Sequence, residues 1–216
     1  MNSDKSPKLP NLFKYLPLNK DRIHDLINYG IYAATINQLN DPYEQIGIEG
    51  VERYRVVCLT RSWNKRILWA YFANGPGCCV GIDVKRDKDS LFSQVVYDNI
   101  SDFKDIRQHN EPSLSLLHKD KKFQEEKEYR AIYDHSKPID TSHWFINSDG
   151  RVFYKAKISV IYFAPYSDSQ EDYKPVLNEI QKYNYNQKFS KDRITVKKYI
   201  LDDKKYLFRL DNSFEL

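Results

Sequence analysis

Short apolar runs, separated by Gly, Pro, Asn and Asp, recur along most of this chain and favour a fold rich in strands. Three longer segments, 18–29, 63–74 and 169–183, carry apolar residues at helical spacing instead. The strands outnumber the helices and do not alternate strictly with them. The pattern therefore predicts an α+β fold with a mainly antiparallel, bent sheet and flanking helices. The predicted strands are 12–16, 31–35, 55–60, 78–84, 94–97, 129–133, 152–163, 194–201 and 206–210.

The length of the chain, 216 residues, is enough for one ordinary domain with a full hydrophobic core. Only 7 Gly stand against 17 Tyr and 11 Phe, which argues against a flexible or low-complexity chain. We therefore expect a single domain over 1–216. Its motifs lie in 11–133, and 134–216 is a strand-rich, basic C-terminal part.

The sequence indicates a cytoplasmic protein without a membrane partner. No stretch approaches the roughly 20 apolar residues that span a bilayer, and the first ten residues have no apolar core of a signal peptide. Cys58, Cys78 and Cys79 lack the spacing of a zinc site or a disulfide framework, so we expect reduced structural thiols. The sequence predicts no metal site.

An acidic and basic triplet at period two, Glu126, Glu128 and Arg130, is the leading candidate for chemistry. On a strand these three side chains would share one face. Two carboxylates close together raise one carboxyl pKa, and the arginine partly offsets that effect. Such a group can hold a cation, a sugar hydroxyl or a proton. The alternative is a charged outer face of an edge strand, or a helix start.

Positive charge is concentrated near the C-terminus. The segment 182–205 has eight Lys or Arg and three Asp, interleaved with aromatic residues. Basic side chains can neutralise phosphates and aromatic rings can stack on bases, so this segment favours a nucleic-acid partner. The alternative is a solvated face of a strand or helix pair.

Several nucleotide-site and catalytic motifs are absent from the sequence. There is no GxGxxG, no GxxxxGK[ST] and no GxSxG, so a Rossmann site, a P-loop and a nucleophile elbow have no support. The five His show no HxxxH or HxH spacing and read as surface or capping residues.

The order of six short motifs resembles a poorly characterised prokaryotic family that is often found near abortive-infection genes. The resemblance covers residues 11–133 and implies a role in phage defence. Its motifs are Leu12-Phe-Lys-Tyr15, Gly30-Ile-Tyr-Ala-Ala-Thr35, Asn40-Asp-Pro-Tyr-Glu44, Leu68-Trp-Ala-Tyr71, Gly77-Cys-Cys-Val-Gly-Ile82 and Phe123-x-x-Glu126-x-Glu128-Tyr-Arg130.

The first part of the chain also resembles the front of an ADP-ribosyltransferase fold. That resemblance implies NAD as a substrate, with Glu128 binding the ribose and stabilising its developing positive charge, and Glu126 orienting or deprotonating the acceptor. It implies a nucleic acid or a protein as acceptor, and an antitoxin as a further partner. The residues implied around NAD are Tyr15, Tyr32, Thr35, Asn40, Asp41, Trp69, Tyr71 and Arg130.

Two other classes of function compete with this interpretation. In a metal-dependent nuclease, Glu125 and Lys127 would face inward with Asp41 or Asp83 as partner, opposite to the triplet. A non-catalytic sensor or antitoxin-like module would bind a phage or host component and tolerate the loss of Glu128.

Overall fold

The computed structural model describes residues 12–84, 91–104, 111–165, 170–187, 193–202 and 207–210. Its α-helices are α1 (Lys20–Asn28), α2 (Arg66–Phe72), α3 (Pro112–Ser115) and α4 (Gln170–Asn186). Its strands are β1 (Leu12–Leu16), β2 (Ile31–Tyr32), β3 (Ala34–Thr35), β4 (Tyr54–Thr60), β5 (Cys78–Asp83), β6 (Ser93–Gln94), β7 (Val96–Asp98), β8 (His118–Asp120), β9 (Glu128–Asp134), β10 (Trp144–Ile146), β11 (Val152–Tyr154), β12 (Lys157–Phe163), β13 (Thr195–Asp202) and β14 (Leu207–Leu210).

The predicted α+β class is confirmed, and most strand pairs are antiparallel. The likeness to an ADP-ribosyltransferase stays a prediction. The chain divides into two compact units that interleave along the sequence. The first unit consists of Met1–Asn19, Trp63–Val84 and Lys157–Leu216, and the second of Lys20–Ser62 and Lys85–Ala156.

Five strands of the first unit lie side by side in the order β14-β13-β12-β5-β1. Strand β5 lies between two antiparallel neighbours and is buried from Cys78 to Ile82, as its continuous apolar run predicts. Strands β12 and β13 are parallel, and a parallel pair needs a crossover, which α4 supplies. Strands β13 and β14 pair antiparallel, and residues 203–206 between them lie outside the described residues.

Aromatic side chains fill the core of the first unit. The indole of Trp69 meets the ring of Tyr15 edge-on at 5.1 Å between centroids, and both residues are buried. Trp63 stacks on Tyr162 and on Tyr199 at 6.0 and 5.5 Å. Edge-on and stacked pairs are the favoured geometries of aromatic rings. Tyr15 and Trp69, predicted to contact NAD, are therefore core residues of this unit.

Four strands of the second unit lie side by side in the order β3-β4-β9-β6. Strands β4 and β9 pair antiparallel over seven residues, from Tyr54 opposite Asp134 to Thr60 opposite Glu128. Two smaller sheets accompany these strands, the antiparallel β10-β11-β2 and the parallel pair β7-β8. Its apolar core contains Ile36, Ile48, Tyr54, Val56 and Leu116.

Helix α1 of the second unit ends as the sequence predicts. The N–H of Gly30 donates to the carbonyls of Asp25 and Leu26, and its φ of +106° is one that side chains rarely allow. A Cβ at this position would lie 2.1 Å from the carbonyl oxygen of Tyr154. Only glycine fits at this position, because the backbone just after α1 passes very close to the backbone of β11.

Four predicted strands have different bounds in the structure. The run 152–163 is broken by exposed Lys155, whose N–H donates to the carbonyl of His143, so β11 and β12 fall in different units. The runs 31–35 and 94–97 each form two short strands, and β8 lies in the polar segment 101–122, where the sequence predicts no strand. The triplet strand starts at Glu128, because Glu126 ends a 3₁₀ helix and Lys127 is left-handed.

None of the described helices is both long enough and apolar enough to cross a bilayer.

We expect Gly77→Ala to destabilise the protein by about 3 kcal/mol or more. An added Cβ would lie 2.3 Å from the carbonyl oxygens of Ala73 and Leu16, which are backbone atoms that cannot rotate away. Gly75→Ala is the matched control, because it meets no atom within 4 Å and carries only the cost of its positive φ, about 1 kcal/mol. Urea unfolding measures both, and equal losses would contradict the clash.

Candidate functional site

Five charged residues of the second unit form a buried group that we call the charge cluster. They are Glu44, Lys119, Glu126, Glu128 and Arg130, and the side chain of Asn40 lies at its edge. The predicted triplet is thus brought together, with two residues that the sequence did not single out.

Glu128 and Arg130 reach the cluster from one face of β9, since residues two apart on a strand point the same way. Both are buried, with 5% and 1% of their surface exposed. Glu126 reaches it by another route. It ends the 3₁₀ helix Lys121–Glu126, and the left-handed Lys127 (φ 47°) turns the chain between the two glutamates. Both carboxylates consequently contact the same ammonium group.

That ammonium group belongs to Lys119 on β8, which is 1% exposed. Its Nζ lies 2.7 Å from Glu126, 2.9 Å from Asn40, and 3.3 Å from both Glu128 and Glu44. An ammonium group has three N–H donors, and here four oxygen atoms surround it. Acceptors therefore exceed the donors that Lys119 can offer.

Arg130 completes the pairing of the carboxylates. Its Nε and Nη2 bind the two oxygens of Glu128 at 2.9 and 3.0 Å, a bidentate arrangement that fixes the carboxylate plane. Its Nη1 contacts Glu44 at 2.6 Å and donates to the carbonyl of Leu116 at 2.7 Å. Each buried charge of the cluster thus has at least one opposite charge as neighbour.

The Asn-Asp-Pro motif positions Glu44 in the charge cluster. Asp41 accepts a hydrogen bond from the N–H of Tyr43 at 2.9 Å and caps a 3₁₀ helix that starts at Pro42. One turn later this helix places Glu44 inside the protein, 2% exposed. The other oxygen of Asp41 is buried and has no hydrogen-bond partner among the described residues. Asp41 therefore acts as a cap in this structure.

The two glutamates that share Lys119 have pKa values shifted in opposite directions. Burial raises the pKa of Glu128, but Arg130 and Lys119 outweigh it and hold the pKa at about 2. For Glu126, burial outweighs the attraction of Lys119 and the pKa is raised. Burial lowers the pKa of Lys119, but its three glutamates outweigh burial and raise it. Three carboxylates and two cations leave a net charge of −1 when all are ionised.

Access to solvent separates the same two glutamates. The side chain of Glu126 is 12% exposed and lies beside exposed Asn40, whose amide donates to it at 3.0 Å. The side chain of Glu128 is 6% exposed, and both of its oxygens are engaged by Arg130 and Lys119. Glu126 is the carboxylate of this pair that an incoming ligand can reach more readily.

Two side-chain hydroxyl groups form hydrogen bonds with the main chain of Glu126 and Glu128 and hold it in place. The hydroxyl of Thr60 donates to the carbonyl of Glu126, and the N–H of Glu128 donates to the hydroxyl oxygen of Tyr97 at 2.8 Å. Burial raises the pKa of Tyr97 to about 12. The phenol therefore stays protonated at neutral pH.

The other residues predicted to contact NAD are not members of the charge cluster. Tyr32 and Thr35 both bond to the side chain of Gln38, at 3.1 and 2.9 Å, not to the charge cluster. Tyr71, 70% exposed, belongs to the first unit with the core residues Tyr15 and Trp69. Of the eight predicted NAD contacts, the structure places Asn40 and Arg130 with the two glutamates.

The nuclease alternative requires Glu125 and Lys127 to point into the protein, and the structure has the opposite side chains of this segment inside. Glu125 and Lys127 are exposed, while Glu128 and Arg130 point inward. Asp83 is half-buried in the first unit, and Asp41 is the cap described above. Across the described parts of the chain, no three His, Cys, Asp or Glu residues are grouped to hold a metal ion.

The basic C-terminal segment is described only in part. Lys182 lies on α4, and Lys197 and Lys198 lie on β13. The ammonium of Lys198 lies 5.4 Å from the ring centre of Tyr173. Seven of its other charged and aromatic residues lie outside the described residues: Lys188, Phe189, Lys191, Asp192, Asp203, Lys204 and Lys205.

Lys119 and Glu44 are the site residues that sequence reasoning missed. Glu44 ended a quoted motif, but nothing in the pattern indicated that it is buried. Lys119 lies in a polar segment that gave no strand signal, and its partner Asn40 is 79 residues away. Only the folded chain brings these residues together.

We expect Lys119→Met to destabilise the protein by about 3–5 kcal/mol, the usual cost of leaving buried partners of an ion pair uncompensated. Lys137→Met is the matched control, since Lys137 is exposed in the same unit and its loss should change stability by less than about 0.5 kcal/mol. Chemical unfolding of both variants tests this. A Lys119→Met protein as stable as the control would show that the ammonium is dispensable.

The two shifted glutamates should also give opposite pH dependences of stability. The folded-state pKa of Glu128 lies below its ordinary value of 4.5, so its contribution is full above pH 4.5 and is lost as pH falls toward 2. The folded-state pKa of Glu126 is raised, so the folded state takes up its proton first and gains stability as pH falls through that pKa.

Unfolding free energies measured from neutral pH down to about pH 2 separate the two effects. We expect Glu128→Gln to flatten the acid loss and Glu126→Gln to steepen the net fall by removing the opposing gain. Curves of the same shape for the two variants would contradict the opposite shifts.

Comparisons of the chain with protein-family models, curated proteins and solved structures found no match. The resemblance to the abortive-infection-associated family and to ADP-ribosyltransferases therefore stays a prediction. The chemistry of the charge cluster is the basis on which a function can be inferred for this chain.

Proposed function

We propose that the charge cluster is a group-transfer site that moves ADP-ribose from NAD to an acceptor, with Glu126 as the proton-transferring carboxylate. One observation carries the proposal: Glu126 and Glu128 share one lysine, yet their pKa values are pushed apart and Glu126 is the more accessible. Carboxylate pairs whose environments separate their pKa values are a recurrent arrangement in acid–base catalysis.

The proposed reaction breaks the bond between the nicotinamide nitrogen and C1′ of the ribose. The electron pair of that bond leaves with nicotinamide and cancels its positive charge, and C1′ passes through a state with oxocarbenium character. A nucleophilic oxygen or nitrogen of the acceptor forms the new bond to C1′, and its proton passes to Glu126. A carboxylate with a raised pKa is suited to accept that proton near neutral pH.

Glu128, Lys119 and Arg130 act as positioning residues in this proposal. Arg130 fixes the plane of the Glu128 carboxylate, and Lys119 links it to Glu126. The net negative charge of the cluster favours positive charge developing nearby. A direct contact of Glu128 with the ribose would need one of its oxygens to be released from Arg130 or Lys119.

The acceptor in this proposal is a nucleic acid or a host or phage protein, met in the cytoplasm by a defence or toxin protein. The concentration of positive charge in 182–205 supports a nucleic acid, since those residues can neutralise phosphates. An antitoxin that covers the site is a further partner that such a protein would need.

A second function, a non-catalytic sensor or antitoxin-like module, has one observation in its favour. The charged partners in the cluster are paired with one another at 2.6–3.3 Å. A buried network of this kind can also serve only to specify the fold. In that case binding of a partner would survive the loss of the Glu126 carboxylate.

Label transfer from NAD tests the proposal. The purified protein is incubated with NAD labelled in the adenylate part and host lysate, beside Glu126→Gln and the control Glu49→Gln. The control makes the same chemical change at an exposed residue of the second unit. We expect Glu126→Gln to lower transfer by roughly 100-fold or more and Glu49→Gln to leave it unchanged.

Digestion of the products with nuclease or protease identifies the acceptor. Transfer that is equal in wild type and Glu126→Gln would remove Glu126 from the mechanism. Absence of both transfer and nicotinamide release in the folded wild type would favour the binding module instead.

A further inference from the structure

The side chain of Asn40 is exposed at the edge of the charge cluster, yet both of its polar atoms are engaged there. Its Nδ2 donates to Oε1 of Glu126 at 3.0 Å, and its Oδ1 accepts from Nζ of Lys119 at 2.9 Å. Lys119 also donates to Oε2 of Glu126 at 2.7 Å, so the three side chains close a ring of hydrogen bonds. A carboxamide from the surface is thereby held between two largely buried charged groups.

The two charged groups are complementary to a carboxamide. A carboxylate only accepts hydrogen bonds and an ammonium only donates them, so the amide nitrogen must face Glu126 and the carbonyl oxygen must face Lys119. A carboxylate ligand would bring no donor for Glu126 and would be repelled by it, and an ammonium ligand would bring no acceptor for Lys119. The pair therefore selects a group that carries a donor beside an acceptor, as a primary carboxamide does.

An aromatic ring lies beside the same pair. Phe123 precedes Glu126 by three residues in the 3₁₀ helix, and side chains three residues apart share one side of such a helix. The ring centre of Phe123 is 4.8 Å from Nζ of Lys119, and the residue is half-buried. The two charged groups consequently have an apolar surface next to them, which adds contact area for a ligand.

We infer that Glu126 and Lys119 form a binding site for a primary carboxamide group of a ligand, and that Asn40 fills this site in the free protein. The structure contains the interaction itself, with the protein's own amide in the place of the ligand's. Because Asn40 is exposed, its displaced amide is solvated by water, and the ligand replaces its two hydrogen bonds with two of the same kind.

The inference deepens the proposed function and rests on it for the two sources of the carboxamide. One source is the nicotinamide end of NAD, and the other is an asparagine or glutamine side chain of a protein acceptor. Either amide would lie on Glu126, the carboxylate that is proposed to transfer a proton. Binding does not require the transfer to occur, so it is measured without NAD.

Removal of the Asn40 side chain by Asn40→Ala tests the inference. Alanine fits the backbone there, since the described non-glycine residues with positive φ are Asn74 and Lys127. Asn28→Ala is the matched control, because it makes the same change at an exposed asparagine of the second unit whose side chain bonds only to His24 within α1. Calorimetry measures four probes: a short peptide with one glutamine, the same peptide with glutamate instead, nicotinamide and nicotinate.

We expect Asn40→Ala to bind a carboxamide about 10-fold or more tightly than the wild type does. A site that is open only about a tenth of the time binds about 10-fold more weakly than one that is always open. The two acids should show no gain, and adding Glu126→Leu to Asn40→Ala should abolish the gain for the amides. The carboxamide probe that gains more identifies the source, either the protein side chain or nicotinamide.

Equal affinity of Asn40→Ala and the wild type for both carboxamides overturns the inference. A gain that is as large for the acids, or as large in Asn28→Ala, overturns it too. Binding and transfer can fail separately. A carboxamide gain in Asn40→Ala without any NAD turnover supports the site and rejects the transferase, whereas no gain while Glu126→Gln abolishes transfer rejects the carboxamide site alone.

Discussion

The ammonium group of Lys119 is the charge on which the second unit is organised. It is buried with oxygens of four residues around it, and three of them are glutamates that would repel one another without it. The same ammonium draws together chain segments that lie far apart in sequence, Asn40 and Glu44 from one side and Glu126 and Glu128 from the other. Removing water from such a group is costly, so its partners have little freedom to move.

The left-handed backbone of Lys127 allows Glu126 and Glu128 to contact the same ammonium group, that of Lys119. On a regular strand Glu126 and Glu128 would both project from the same face of β9 and compete for Arg130. The left-handed turn at Lys127 instead brings Glu126 to the edge of the cluster. Glu128 is bound by both Arg130 and Lys119, while the side chain of Glu126 keeps 12% of its surface exposed. Two chemically identical groups thereby acquire different proton affinities.

Much of the fold could be predicted from the sequence, because period-two and helical apolar patterns report local structure. The interruptions of the predicted strands at Lys155 and before Glu128 could not be predicted, because each depends on contacts with residues that are distant in sequence. Period two correctly joined Glu128 to Arg130. The same pattern also predicted that Glu126 lies near them, but as a residue of the same strand, whereas Glu126 ends a 3₁₀ helix. The pattern gave no indication that Lys119 and Glu44 are buried, because their burial depends on long-range contacts. Tyr15 and Trp69 looked like ligand contacts but are core residues, since aromatic rings serve both purposes.

The interleaving of the two units along the chain has a consequence for how the protein is made. Every segment of the second unit has been synthesised once Ala156 leaves the ribosome, whereas the first unit still lacks β12, β13 and β14. Since chains fold from the N-terminus as they emerge, the unit that holds the charge cluster can complete its core while β5 still lacks its neighbour β12. Until then β5 has an unpaired edge, which is a surface that chaperones recognise and that aggregation exploits.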